Sequence, residues 1–173
     1  MNDNSKAAVA SQSLCYQGFV TVQLRHGKRA YRTIECHNEG HAELFKFLAH
    51  CLISQYEQSE RPKFLMLYNH IDNNGIETTT PVTSSLTPHN SVRVVKGDGY
   101  YDAVFEFLVP YGSLIGTRVN MLKIFSQENA ANPLPDKASV TVLLTGDDVF
   151  VVGDTKTNIL VTWTMRITNV PNA

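Results

Sequence analysis

The stretch from Asp154 to Asn169, DTKTNILVTWTMRITN, decides how the rest of this chain is read. A polar, turn-like start opens into residues that alternate. Ile159, Val161, Trp163, Met165 and Ile167 fall on one side, and Leu160, Thr162, Thr164, Arg166 and Thr168 fall on the other. Successive side chains of a β-strand point to opposite faces, so this period of two predicts a long strand with one buried and one wetter face. It carries the only tryptophan of the chain and is expected to close a sheet.

Working outward, more strands are expected. FVTVQLR from Phe19 to Arg25 and AYRTIEC from Ala30 to Cys36 flank the turn His26, Gly27, Lys28 and predict a β-hairpin. Phe64 to Tyr68, FLMLY, is a short apolar run and predicts a buried strand. Residues 76–90 hold two prolines and many hydroxyls, which favour edge structure because proline cannot donate to a ladder. In YDAVFEFLV, Tyr101, Ala103, Phe105, Phe107 and Val109 share a face, and Thr117 to Phe125 is expected to be the antiparallel partner of that strand. Val140 to Leu144 and Val149 to Val152 complete the series.

One helix interrupts this pattern. From about His41 to Gln58, Phe45, Leu48, Ala49, Leu52 and Tyr56 recur at steps of three and four, the spacing of one helical face. Asn38 is a candidate N-cap, and Arg61 with Pro62 stops the helix. The fold class expected is therefore mainly β with one early α-helix, an antiparallel β-sandwich of about eight strands. Residues 1–13 are expected to form a flexible arm, and 14–173 a single domain. Trp163, Phe105, Phe107, Phe45, Leu48 and Leu52 are expected in its core.

Composition narrows the function. Of 173 residues, 43% are apolar and 18% charged, against roughly 25% charged in a usual soluble domain. Threonine, asparagine and serine fill the difference, a surface suited to packing against other protein copies. With 15 basic and 16 acidic residues the net charge is −1. Phosphate binding needs concentrated lysine and arginine, so no nucleic-acid partner is expected. No apolar run approaches the roughly 20 residues that span a bilayer, so no membrane partner is expected either. Cys15, Cys36 and Cys51 lack metal-type spacing and are expected to be reduced, buried thiols, with Cys51 on or beside the helix stripe.

Candidate sites are weak in sequence. Cys36, His37, His41 and His50 cluster, but a metal needs three or four convergent ligands and nothing else clearly supplies them. Asp147, Asp148 and Asp154 lack the spacing of a calcium loop, and turn chemistry accounts for them. Lys96 to Gly99 is expected to be a hairpin turn rather than a phosphate loop. Tyr100, Tyr101 and Tyr111 could offer a carbohydrate platform, with core or subunit-contact roles favoured. No catalytic residue, cofactor or metal is expected.

The order of segments carries more than any single motif. Asn38, Glu39 and Gly40 open the helix region; Thr80 and Pro81 lie in a threonine-rich loop. Phe105, Phe107 and Pro110 mark a strand, and Lys156, Thr157, Leu160, Val161 and Trp163 mark the closing one. This order resembles small structural proteins of tailed bacteriophages. The resemblance implies a non-enzymatic virion component, made in the host bacterial cytoplasm, that packs with copies of itself and with other virion proteins as a homo-oligomer. A tail, collar or fibre-attachment adaptor is the position it implies first. A capsid decoration or head-fibre protein, or a carbohydrate-binding host-attachment module, is the alternative. The arm and the 76–90 segment would be its contact elements.

Overall fold

The computed structural model describes residues 12–52, 57–74, 76–109, 114–130 and 137–171. The protein is mainly β, with antiparallel sheets and, among the described residues, one helix of more than a single turn. The first five-stranded sheet runs β2 (Arg29–His37), β1 (Gln12–His26), β12 (Thr157–Pro171), β7 (Tyr100–Val109), β6 (Ser91–Lys96). The second runs β3 (Glu39–Gly40), β10 (Val140–Leu143), β9 (Met121–Ser126), β4 (Pro62–Asn73), β5 (Ile76–Pro88). A small pair joins β11 (Phe150–Val151) to β8 (Arg118–Val119). Twelve strands in three sheets among the described residues replace the expected eight.

The closing strand is central. β12 pairs with β1 along fifteen residues, from Gln12 opposite Pro171 to His26 opposite Thr157, and with β7 on its other side. Its alternation works as the sequence predicts. Ile159, Val161, Trp163 and Met165 are buried, while Thr162, Thr164 and Arg166 on the other face are only partly covered. The buried residues join Val20, Val22, Phe105 and Phe107 of the first sheet in one core cluster with Leu65, Leu67, Leu122, Ile124, Val140 and Val142 of the second. Trp163 is 0% exposed and stacks on Phe105 at 4.8 Å between ring centroids. All six residues of β9 are buried. Leu122 and Ile124 face the main core, whereas Met121 and Phe125 join Met66, Tyr68, Ala130 and Ala138 in a smaller cluster on the sheet's far face. The single turn α2 (Gln127–Ala130) helps cover that face.

Several expectations need correction. The 117–125 segment does not pair with the 101–109 strand. β7 lies between β6 and β12, and β9 lies in the other sheet between β10 and β4. Both segments are rich in apolar residues, and that richness specifies burial but not a neighbour. The helix α1 spans Ala42–Leu52. Leu44 is fully buried and Leu48 packs on the core, but Phe45 is 49% exposed, so it is not a core residue. The buried face of α1 runs through Leu44 and Leu48, one residue earlier than the expected stripe. The Leu52 side chain and residues 53–56 lie outside the described residues. So do residues 1–11 of the expected arm; Gln12 and Ser13 belong to β1.

Trp163→Ala should cost on the order of 3–5 kcal/mol of unfolding free energy, as truncation of a buried aromatic usually does. Chemical denaturation followed by far-UV circular dichroism measures it. An unchanged denaturation midpoint would show that the indole adds nothing to the core.

Candidate functional site

Three polar constellations stand out from this framework. The first surrounds Asn38, between β2 and β3. A buried indole needs an acceptor for its N–H. Trp163 Nε1–H donates to Asn38 Oδ1 (3.2 Å), and Asn38 Nδ2–H donates to the Tyr16 hydroxyl (2.9 Å). The Asn38 backbone N–H donates to the Gly18 carbonyl (3.3 Å). Gly18 is needed here, because a Cβ at that position would overlap the Asn38 amide. Burial pushes the Tyr16 phenol above its usual pKa, and its hydrogen bond with Asn38 offsets part of that rise. A shallow pocket of about 490 Å³ opens over Tyr16, Gly18, Asn38 and the exposed ring of Phe45.

Asn38 is therefore not the helix N-cap. Its amide is held by Trp163 and Tyr16, and Glu39 and Gly40 pair with β10 before the helix begins. His41 takes the capping position instead. Its carbonyl accepts the N–H groups of Leu44 and Phe45, and its own N–H donates to the Ser139 carbonyl (3.0 Å).

The second constellation is a groove of about 510 Å³ on the far face of the second sheet. His41 Nε2 bonds the Thr141 hydroxyl (2.7 Å), and His70 Nδ1 bonds the Thr79 hydroxyl (2.9 Å). His70 and Thr79 are directly opposite across β4 and β5, so this is a cross-strand pair. Glu77 and the largely buried Lys123 line the same groove. Each histidine thus spends one ring nitrogen on fastening neighbouring segments.

The third lies on the outer face of the first sheet. Arg166 makes a bidentate pair with Asp102 (2.8 Å for both bonds), and its guanidinium covers the Tyr100 ring at 3.8 Å. The Arg166 hydrogen bonds hold the Asp102 carboxyl below the usual carboxylate range. Next to it, Arg93 and Ser91 both donate to Glu106 (2.7 and 2.8 Å), which lowers the Glu106 pKa.

The sequence candidates are dispersed rather than gathered. His50 bonds Glu60 at 2.8 Å and is bound up in an ion-pair cluster with Lys46, which also reaches Glu60 (3.0 Å). His37 packs at a tilt against Phe19, with 5.2 Å between ring centroids. Among the described residues no group of three or more His, Cys, Asp or Glu side chains could hold a metal ion. Asp154 accepts from the Lys156 N–H and the Thr157 hydroxyl, each at 2.9 Å, and thereby shapes the turn into β12. The Gly97 N–H closes the β6–β7 hairpin onto the Tyr100 carbonyl (3.0 Å). The thiols correct the sequence reading, since Cys15 and Cys51 are exposed. Cys36 is half-buried, and burial pushes its pKa up to about 11. Tyr111 lies outside the described residues.

No protein-family model matches this chain, and no curated protein or solved structure does. No helix among the described residues is long and apolar enough to cross a membrane.

Two outcomes test these contacts. Gly18→Ala should displace the Asn38 amide and cost about 1–3 kcal/mol, while Trp163→Phe should cost about 1 kcal/mol by removing the indole donor; both are read from denaturant midpoints. Glu60 is held down to about 2, first by its hydrogen bond with His50 and then by Lys46. The stabilisation it gives α1 is complete above the ordinary glutamate range, near 4.5, and disappears as pH falls towards 2. Amide exchange in α1 should accelerate across that window, and Glu60→Gln should remove the dependence.

Proposed function

We propose that this chain is a non-enzymatic structural subunit of a tailed-bacteriophage particle. In this reading it works as repeated copies in the tail, collar or fibre-attachment region. The observation that carries the proposal is the hydrogen bond from Trp163 to Asn38. It joins the first and the last segments of the ordered pattern that resembles such proteins, 125 residues apart in the chain. Asn38, Gly40 and Trp163 then act as parts of one fold rather than as separate weak motifs. The surface offers further support. Ten large apolar side chains are exposed among the described residues, on a protein with little charge, as suits contacts with other protein surfaces.

A carbohydrate-binding role finds less support. Sugar platforms need open aromatic faces, and the Tyr100 ring is covered by Arg166. Tyr101 is 53% exposed and is available for either kind of contact.

Purified particles, analysed by mass spectrometry and by electron microscopy with antibody labelling, should contain this chain in many copies at one defined location. Its absence from purified particles would sink the proposal. Deletion of residues 1–11, which leaves β1 whole, should lower incorporation if the arm is a contact element.

A further inference from the structure

The two five-stranded sheets have four edges, and these are not equally protected. The β5 edge contains Pro81 and Pro88, and β3 has only two residues. The β2 edge is tethered, because Arg32 fastens it to the carbonyl groups of Asp147 and Val149. The β6 edge differs. Of the ten exposed large apolar residues, four lie on the β6–β7 hairpin: Val94 at 71%, Val95, Tyr101 and Leu108. Among the described residues no strand pairs with β6 beyond β7.

The backbone phase is fixed by the hairpin. The Gly97 N–H bonds the Tyr100 carbonyl, and Val95 lies opposite Asp102 and Arg93 opposite Val104. Hydrogen-bonded pairs alternate along an antiparallel ladder, so residues 91, 93 and 95 bond to β7. The N–H and C=O groups of Val92, Val94 and Lys96 therefore point outward.

We propose that β6 is a self-association edge, at which two copies join antiparallel about a two-fold axis at Val94. This deepens the repeated-subunit reading and rests on it only in taking the partner to be a second copy. In that register Val94 faces its own copy, Val92 faces Lys96, and Arg93 faces Val95. The outward groups then form about six backbone hydrogen bonds. Each side chain stays on its own face of a continuous ten-stranded sheet. Charge selects the register. An axis at Arg93 would set two guanidinium groups against each other, and an axis at Val95 would separate the two Val94 side chains and place each against a lysine. Arg93 is already neutralised by Glu106. The net charge of −1 gives two copies almost no long-range repulsion. Contact along one edge is modest in solution, and it gains strength when copies are held side by side on a larger assembly.

Full-length protein with Cys15→Ser and Cys51→Ser is the background for the test. In it, Val94→Cys should form an intermolecular disulfide at least tenfold faster than Val95→Cys. Facing residues in a hydrogen-bonded pair lie about 5.5 Å apart at Cα, within disulfide reach. Sedimentation at roughly 100 µM should show a dimer that Val94→Pro weakens tenfold or more, since proline removes only an outward N–H. Val94→Lys serves if the proline variant does not fold. Equal cross-linking at 94 and 95, a monomeric parent protein, or an unchanged dimer in Val94→Lys would each overturn the proposal. A dimer of a chain absent from purified particles would leave this edge standing and remove the particle assignment alone.

Discussion

A buried indole with one N–H to satisfy is the constraint on which the rest of this structure depends. Trp163 sits at the middle of the central strand of the first sheet, wholly out of water, and its ring stacks on Phe105. Its N–H must find an acceptor, because an unpaired buried donor costs about 1–3 kcal/mol. Asn38 supplies that acceptor and passes the bonding on to Tyr16. The same contact fixes where the chain leaves β2, how closely it passes Gly18, and where α1 begins. One hydrogen bond therefore links the packing of the core to the path of the only long helix among the described residues.

Around that point, burial and polar pairing divide the work. The core is built from both five-stranded sheets, and β9 is covered on both faces, which makes the second sheet the more enclosed of the two. The exposed faces are tied by cross-strand pairs: Arg166 with Asp102, Arg93 with Glu106, His70 with Thr79. Of the ten large apolar side chains exposed among the described residues, four lie on the β6–β7 hairpin.

Much of the fold was legible along the chain. The alternation from Ile159 to Ile167, the hairpin around Gly27, the edge character of the proline-bearing β5 and the early helix all follow local rules, and local rules act on neighbouring residues. The candidate site was not legible in the same way. Asn38 looked like a cap because asparagine often is one, and nothing nearby in sequence competes for its amide. The competitor is Trp163, 125 residues away. Gly18 was the available signal, since a glycine inside a strand often marks a close approach by another group. Phe45 was misplaced for a related reason. Helical periodicity gives the angular position of an apolar stripe, but the width of the buried part depends on what the helix meets.

By itself, the sequence determined the type of most elements and, in the closing strand, the side that seeks burial. Hydrophobic period and turn chemistry are written in residues close to one another. Only the tertiary structure decided which strands are neighbours, which sheet each one joins, and how the polar groups are paired. β7 and β9 are both apolar strands, and only packing in three dimensions assigns one to each sheet. The indole of Trp163 belongs to both levels. Its burial follows from alternation in the closing strand, whereas its hydrogen-bond partner is set by the path of a distant segment.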